Sequence, residues 1–484
     1  MATTENKPLF SKYELAFLIL AIVTGLTLYF MPPIFGMEYA AQASLAIFAF
    51  ALIMWIGKPI PIYLTSIIVV LLLPLIGAVE SQKVAFGTLG YDIIWLMVAA
   101  MVLSSAISET NLGNRIALTL VTKLGSTPTG TLAVLVLVNF ILAFFVPSTT
   151  ARASLLVPMV LVLLEVYNAH PGESQYGCLA ALQGVQNNAF ATSMVMTATS
   201  GQVIAVGFIQ QFTGRDIGYM TWLLGSAPQA ILTAIVMFLI GIKVFNYKSE
   251  LPEGEKSKEI NRILSENVKE LGPISKVEIR AAIIFLITLF LWATSDYQEA
   301  ILGFKISTEQ TAVLAMLLCF LPGIGVLKWK EANIKWELMI FSAGAYAAGN
   351  ALNDSGAASI LIERLVHALN INSMSHGLVA VTLIAITVFS HLIFTSKTVR
   401  TTIMIPAVLT IAQTLGMDPA QLALACSFGI AATITLPPHS KVNTLYFSTG
   451  YFSVLDELKF GLIACTVVTA FISLVYFLWL PIIL

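Results

Sequence analysis

Runs of about 20 apolar residues constrain this chain more than any other feature. They lie near residues 14–31, 40–57, 61–78, 91–108, 176–212, 219–244, 278–295, 308–326, 335–352, 418–448 and 456–482. Two further apolar segments, 128–168 and 375–414, are interrupted in the middle. About 20 helical residues cross a bilayer core, and a helix satisfies its own backbone groups in lipid. The sequence therefore predicts an all-α polytopic membrane protein with about 11 transmembrane helices and two re-entrant hairpins.

Composition excludes several other classes of protein. Hydrophobic residues make up 58% and charged residues 11%, with a formal net charge of −1. Soluble enzymes, disordered chains and nucleic-acid-binding proteins carry far more charge. Four widely spaced cysteines and five scattered histidines form no metal-binding or catalytic motif, so we expect packed free thiols, no metal and no cofactor.

The longest polar stretch, 243–280, predicts how the chain is oriented. It holds eight basic and seven acidic residues, and from 255 to 270 they recur at helical spacing. We expect this connector helix to lie on the cytoplasmic surface, together with the cluster Lys328, Lys330 and Lys335. This threading places the N-terminus inside and the C-terminus outside the cell membrane.

The two interrupted segments resemble each other. Residues 145–158 read FVPSTTARASLLVP and residues 393–406 read IFTSKTVRTTIMIP, which align at an offset of 248 residues. Because the predicted threading enters the two hairpins from opposite sides, the repeat is expected to be inverted. Inverted repeats with discontinuous helices are typical of secondary transporters that bind substrate near the bilayer midplane.

Each interruption places hydroxyl side chains where a helix begins. We call Ser148, Thr149 and Thr150 the first tip, and Ser396, Lys397 and Thr398 the second tip. A helix N-terminus binds anions because its free N–H groups and the positive end of its dipole point the same way. Two facing tips therefore suit a ligand with an anionic group at each end.

Several charged residues accompany the tips. A lysine within a membrane segment is costly, so Lys397 indicates function. His439 and Lys441 follow a Pro-Pro pair and add a titratable and a positive group. Arg152 and Arg400 lie one turn beyond the tips. They either face the anion or, as the residues favour, pair at a domain seam with free carbonyls or with acidic groups such as Glu165.

On these residues the chain resembles the divalent anion/sodium symporter family, whose members have Ser-Asn-Thr at each hairpin tip and a Thr-Pro-Pro-Asn-like turn in each broken helix. Here the second turn reads Leu436-Pro437-Pro438-His439, and the first has Thr199-Ser200-Gly201. The resemblance implies a homodimer, elevator movement, and substrate carboxylates bound by the tip hydroxyls with Thr199, Ser200, Pro438 and His439. It also implies a division into scaffold (1–125 and 281–372), transport (126–242 and 373–484) and connector (243–280) parts.

The departures from the family pattern concern sodium. In sodium-coupled members, asparagines of the tips and turns help to build the sodium sites. Other residues stand at all four positions here: Thr149, Gly201, Lys397 and His439. The expected function is therefore sodium-independent exchange of dicarboxylates, of the succinate, malate, fumarate and 2-oxoglutarate class. The alternatives are symport with protons titrating His439, symport with sodium, or, more remotely, a channel or an intramembrane enzyme.

Overall fold

The structure, a computed structural model, describes residues 10–124, 127–146, 148–247, 266, 269–368 and 373–484. Its regular elements within these ranges are α-helices and short 3-10 turns, with no strand. The predicted all-helical class is confirmed. Of the predicted connector helix at 255–270, only three residues lie within the described ranges.

The first half of the chain contains eleven of the helices that the described residues form. They are α1 (Lys12–Phe30), α2 (Tyr39–Gly57), α3 (Ile62–Leu75), α4 (Gln82–Gly87), α5 (Asp92–Ser108), α6 (Leu112–Leu124), α7 (Pro128–Phe145), α8 (Thr149–Val166), α9 (Gln175–Met194), α10 (Ser200–Thr213) and α11 (Tyr219–Phe245).

The second half adds a similar set. It comprises α12 (Lys276–Ala293), α13 (Ser295–Leu302), α14 (Thr308–Phe320), α15 (Trp336–Asp354), α16 (Ala357–Ala368), α17 (His376–Phe389), α18 (Lys397–Thr414), α19 (Pro419–Gly429), α20 (Lys441–Phe447), α21 (Val454–Leu478) and α22 (Leu480–Ile483). Six helical segments of the described chain are long and apolar enough to cross a membrane: α1, α2, the segment 82–108, α7, α11 and α21. The protein is therefore a multi-pass membrane protein, and the total of about 11 spans stays a prediction.

Both interrupted segments form helix–turn–helix hairpins. The first consists of α7 and α8, and the second of α17 and α18. The side chain of Ser148 caps α8 by accepting a hydrogen bond from the amide of Ala151 at 3.3 Å, and Ser396 caps α18 through the amide of Val399 at the same distance. The two serines thus define where the returning helices begin.

Two long apolar segments are broken helices. The first break separates α9 from α10 at residues 195–199, and the second separates α19 from α20 at residues 430–440. A helix that ends inside a membrane protein leaves carbonyls without partners. At the first break, Gln202 Nε2 donates to Thr192 O at 2.8 Å, Trp222 Nε1 to Ser193 O at 3.1 Å and Ser226 Oγ to Met194 O at 2.9 Å. Side chains therefore stabilise this break without a proline.

The order of elements recurs along the chain. The series α5, α6, hairpin, broken helix and α11 matches the series α15, α16, hairpin, broken helix and α21. This order supports the internal repeat, while its inversion across the membrane stays a prediction. The apolar runs of the sequence do not include α6 and α16, because each is an amphipathic helix with polar residues on one side and is too short to span a bilayer.

An apolar core and an ion pair join helices outside the two hairpins. A separate apolar core joins α2, α3 and α15, with Trp55 packed edge-on against Phe341 at 5.4 Å between ring centroids. Elsewhere Arg115 of α6 forms an ion pair with Glu278 of α12 at 3.0 Å. This pair fixes α6 to the start of the second half.

The hydrogen bonds to the carbonyls of the first break predict that removing one buried serine hydroxyl, that of Ser226, lowers the free energy of unfolding more than removing another, that of Ser342. Ser226→Ala removes the only side-chain donor to Met194 O among the described residues, which should cost about 1–3 kcal/mol and lower the melting temperature. Ser342→Ala is the control because Ser342 Oγ donates to Leu338 O within its own helix, and we expect a change within about 0.5 kcal/mol. Equal melting temperatures for both variants in detergent would contradict this account of the break.

Candidate functional site

A cavity of about 330 Å³ lies beside the first tip. All three residues of that tip line it, and so do Thr199 and Ser200 from the first break. The N-termini of α8 and α10 therefore open onto the same space. The sequence predicted these five residues as a group, and the structure brings them together.

Another part of the cavity wall was not predicted. Ser104, Ser105 and Ser108 come from α5 and Glu109 directly follows it, while Glu331, Asn333 and Lys335 come from the loop before α15. The amide of Asn333 donates to Ser105 Oγ at 3.0 Å, which holds this loop against α5. The only sequence feature near these residues is the cluster Lys328, Lys330 and Lys335, which predicts the orientation of the chain in the membrane and not a binding site.

The second tip reaches the first half of the site through α10. Ser200 Oγ lies 3.5 Å from Thr398 Oγ1, which joins the N-terminus of α10 to that of α18. Gly201 allows this approach, because a Cβ there would lie 3.0 Å from Thr401 Oγ1 and 3.5 Å from the carbonyl of Lys397. Three helix N-termini consequently meet, although none of the second-tip residues Ser396, Lys397 and Thr398 lines the cavity.

Lys397 is a cation without a carboxylate partner. The ion pairs found in the described parts of the chain are Arg115–Glu278 and Arg215–Asp418, and neither involves it. It is the first residue of α18, where a positive charge opposes the helix dipole. Its charged neighbours are Arg400 and Arg152, so this region carries an excess of positive charge.

Arg152 and Arg400 are fully buried and bind the ends of the broken helices. Arg152 Nη2 donates to Asn188 O at 3.2 Å and to Thr192 Oγ1, while Arg400 Nη2 donates to Ile430 O. The expected pairing with a free carbonyl is observed for Arg400, because Ile430 follows the end of α19, whereas Asn188 O lies within α9. Nε and Nη1 of both arginines have no hydrogen-bond partner among the described residues. Glu165 is not a partner, because it is exposed and lies 13 residues farther along α8, about 20 Å from Arg152.

The second break brings two histidines together. His439 Nδ1 lies 3.1 Å from Thr435 Oγ1, which lies 2.9 Å from His391 Nε2 in the turn of the second hairpin. The sequence had singled out His439 alone, since His391 and Thr435 are distant along the chain. Pro438 and Lys441 are exposed, and neither lines the cavity.

The family model described as "Sodium:sulfate symporter transmembrane region" matches residues 12–484, nearly the whole chain. The chain belongs to the sodium:sulfate symporter family. Members of this family are transporters, and the protein is therefore a multi-pass membrane transporter and not an enzyme.

Curated relatives of this sodium:sulfate symporter family member carry more specific names. Dicarboxylate transporter 1 from the chloroplast of Spinacia oleracea is 27% identical over 85% of this chain and 71% of its own. The sodium-dependent dicarboxylate transporter SdcS of Staphylococcus aureus is 24% identical over 99% and 94%. YflS of Bacillus subtilis, whose name proposes malate as its substrate, is 27% identical over 74% of each chain.

Solved structures share the fold of the sodium:sulfate symporter family member at low sequence identity. MtrF of Neisseria gonorrhoeae aligns with a TM-score of 0.56 and 14% identity, over 99% of this chain and 96% of its own. The YdaH transporter of Alcanivorax borkumensis aligns with a TM-score of 0.53 and 10% identity, over 83% and 87%. These likenesses concern the fold alone.

The cavity predicts a pattern of chemical labelling. Ser108→Cys and Lys335→Cys should react with a membrane-impermeant thiol reagent from the same face of a vesicle, because both side chains are exposed at one cavity. The four native cysteines are buried and give no background. Ser427→Cys is the control, since Ser427 is fully buried and should not react. Labelling of the two positions from opposite faces would contradict a single opening.

Proposed function

We propose that this protein exchanges dicarboxylates across the cell membrane without sodium. The observation that carries the proposal is the meeting of three helix N-termini, those of α8, α10 and α18, next to Lys397, which has no acidic partner among the described residues. Free amides, hydroxyl groups and an ammonium group are all donors, and together they suit an anion with two carboxylates. The names of the relatives in spinach and Staphylococcus aureus support this substrate class.

The donor set does not fit a sodium ion at the second tip. Sodium needs oxygen ligands, whereas Lys397 contributes an ammonium group that would repel the ion by about 4 kcal/mol at 4 Å for an effective dielectric of 20. Gly201 contributes no side chain at all. Sodium independence is therefore part of the proposal, although SdcS is named sodium-dependent.

The fixed charge also favours exchange over net transport. With substrate bound, the ammonium group of Lys397 is paired while the site moves past the apolar part of the protein. With the site empty, the same cation would move without its partner, which costs roughly 3–5 kcal/mol. That addition to the barrier slows empty reorientation by about two to four orders of magnitude. The carrier would then reorient efficiently only when it is loaded.

The movement we propose is that of an elevator. The hairpins and broken helices, in residues 126–242 and 373–484, would slide as a transport part against a scaffold part formed by residues 1–125 and 281–372. In that arrangement α5 and the loop before α15 form the fixed wall of the cavity, and the first tip with Thr199 and Ser200 forms the moving wall. A homodimer held by the scaffold, with the N-terminus inside and the C-terminus outside, completes the proposal.

Counterflow in proteoliposomes tests this function. Uptake of labelled succinate should require an unlabelled dicarboxylate inside the vesicle, and its rate should be the same in sodium, potassium or choline salts. Malate, fumarate and 2-oxoglutarate serve as competing substrates. Saturable activation by millimolar sodium would refute sodium independence, and uptake driven by a pH gradient into empty vesicles would favour proton symport, the second candidate suggested by the paired histidines.

Removal of the fixed charge tests the exchange mechanism. Lys397→Ala should weaken succinate binding about tenfold or more, because a hydrogen bond to a charged group contributes roughly 1.5–3 kcal/mol. It should also raise the ratio of net efflux to exchange, measured as efflux of labelled succinate with and without external substrate. Lys459→Ala removes an exposed lysine on α21 and is the charge-matched control.

The outcomes for Lys397→Ala separate two roles of the lysine. Lower affinity with unchanged dependence on external substrate would keep Lys397 as a binding residue and refute its part in obligate exchange. Full affinity with unchanged exchange would refute both roles.

A further inference from the structure

A buried chain of hydrogen bonds connects the second hairpin to the second break. It begins at the carbonyl of Val388, passes through both ring nitrogens of His391 and the hydroxyl of Thr435, and ends at His439 Nδ1. The three distances are 2.7, 2.9 and 3.1 Å. His391 is fully buried and His439 is 5% exposed. The function proposed above assigns no role to His391 or Thr435.

Donor and acceptor rules determine where the protons lie in this chain. A carbonyl only accepts, so His391 Nδ1 carries a proton and donates it to Val388 O. When His391 is neutral, its Nε2 is an acceptor, and the hydroxyl of Thr435 must donate to it. Thr435 then accepts from His439 Nδ1–H, which leaves His439 Nε2 with a bare lone pair.

One additional proton reverses the direction of the chain. With both ring nitrogens of His391 protonated, Nε2 donates to Thr435, and Thr435 donates to His439 Nδ1. The proton of His439 then resides on Nε2. A proton that enters at His439 Nε2 can therefore be stored as a charge on either ring, without any heavy atom moving.

The charged groups around this chain are almost all positive. From α18, Arg400 and Lys397 act on His391, and Arg400 also acts on His439. On α21, Glu457 is held by Asn443 Nδ2 at 2.7 Å, and Cys465 lies near Arg400. Asn443 Nδ2 also donates to Leu436 O in the second break. The Glu457 carboxylate is thus hydrogen-bonded to Asn443 and to neither histidine. An empty site thus disfavours a further positive charge, and a bound dianion would offset this repulsion.

We propose that the His391–Thr435–His439 chain takes up one proton from the solvent when a dicarboxylate binds and releases it with the substrate. The inference rests on the proposed function, since it needs an anionic ligand near α18. The same proton accompanies the loaded carrier in both directions, so equal exchange moves no net protons. This distinguishes the proposal from proton symport.

Linkage sets the sign of the pH dependence. If the complex holds more protons than the free protein, substrate affinity falls as pH rises, by up to about tenfold per unit for one full proton. The range above about pH 7 is the informative one, because free dicarboxylates of the succinate class are then fully ionised.

Calorimetric binding of succinate to the full-length protein tests the proposal. Titrations at one pH in buffers of different ionisation enthalpy give the number of protons taken up, which should approach one for the parent protein. Thr435→Val keeps the side-chain size but removes the hydroxyl, and should reduce the uptake to less than half. Thr410→Val is the control, because that buried hydroxyl donates to Pro406 O in its own helix and the uptake should not change.

Nitrogen NMR of histidine-labelled protein gives a second readout that needs no substrate. Without ligand, His391 should carry its proton on Nδ1 with a bare Nε2, and His391→Gln identifies its signals among the five histidines. Three results would each refute proton uptake by the His391–Thr435–His439 chain while leaving dicarboxylate exchange intact. They are succinate binding without proton uptake, unchanged uptake in Thr435→Val, and a neutral His391 protonated on Nε2. If no dicarboxylate binds, the proposed function fails, and this inference fails with it.

Discussion

Satisfying backbone groups inside an apolar environment is the constraint on which this structure depends. The site needs helices that end in mid-membrane, and every such end leaves carbonyls or amides without partners. The protein meets this need with side chains. Gln202, Trp222 and Ser226 bind carbonyls at the first break, and Arg400 binds those at the second.

The same constraint shapes the ligand site. Amides left free at the start of α8, α10 and α18 are groups that can bind an anion, and each of these helix starts is also the positive end of its helix dipole. Ser148 and Ser396 each accept a hydrogen bond from only one amide of the helix they cap. The other amides at these helix starts stay available to a ligand. The discontinuous helices would thereby supply the hydrogen-bond donors for the proposed dicarboxylate.

Charge imbalance is the second organising feature. Arg152, Lys397 and Arg400 lie close together without an acidic partner among the described ion pairs. Buried charges are normally paired, so such a group is stable only if carbonyl dipoles share the charge or if a ligand supplies it. Each arginine uses only Nη2 on carbonyl or hydroxyl oxygens, and its Nε and Nη1 have no hydrogen-bond partner among the described residues. The proposed dicarboxylate would therefore offset the charge of the whole cluster.

Local sequence determined the helical class, the hairpins, the two tips and the unusual lysine. Hydropathy and turn chemistry act over a few residues, and Ser148 and Ser396 cap helices that begin directly after them. Tertiary structure alone decided the serine wall from α5 and the pairing of His391 with Thr435, which are 44 residues apart. These contacts depend on how distant helices pack, and no periodic pattern records that. The sequence predicts carbonyls as one kind of partner for Arg152 and Arg400 but not which carbonyls, because the end of a broken helix has no sequence signature.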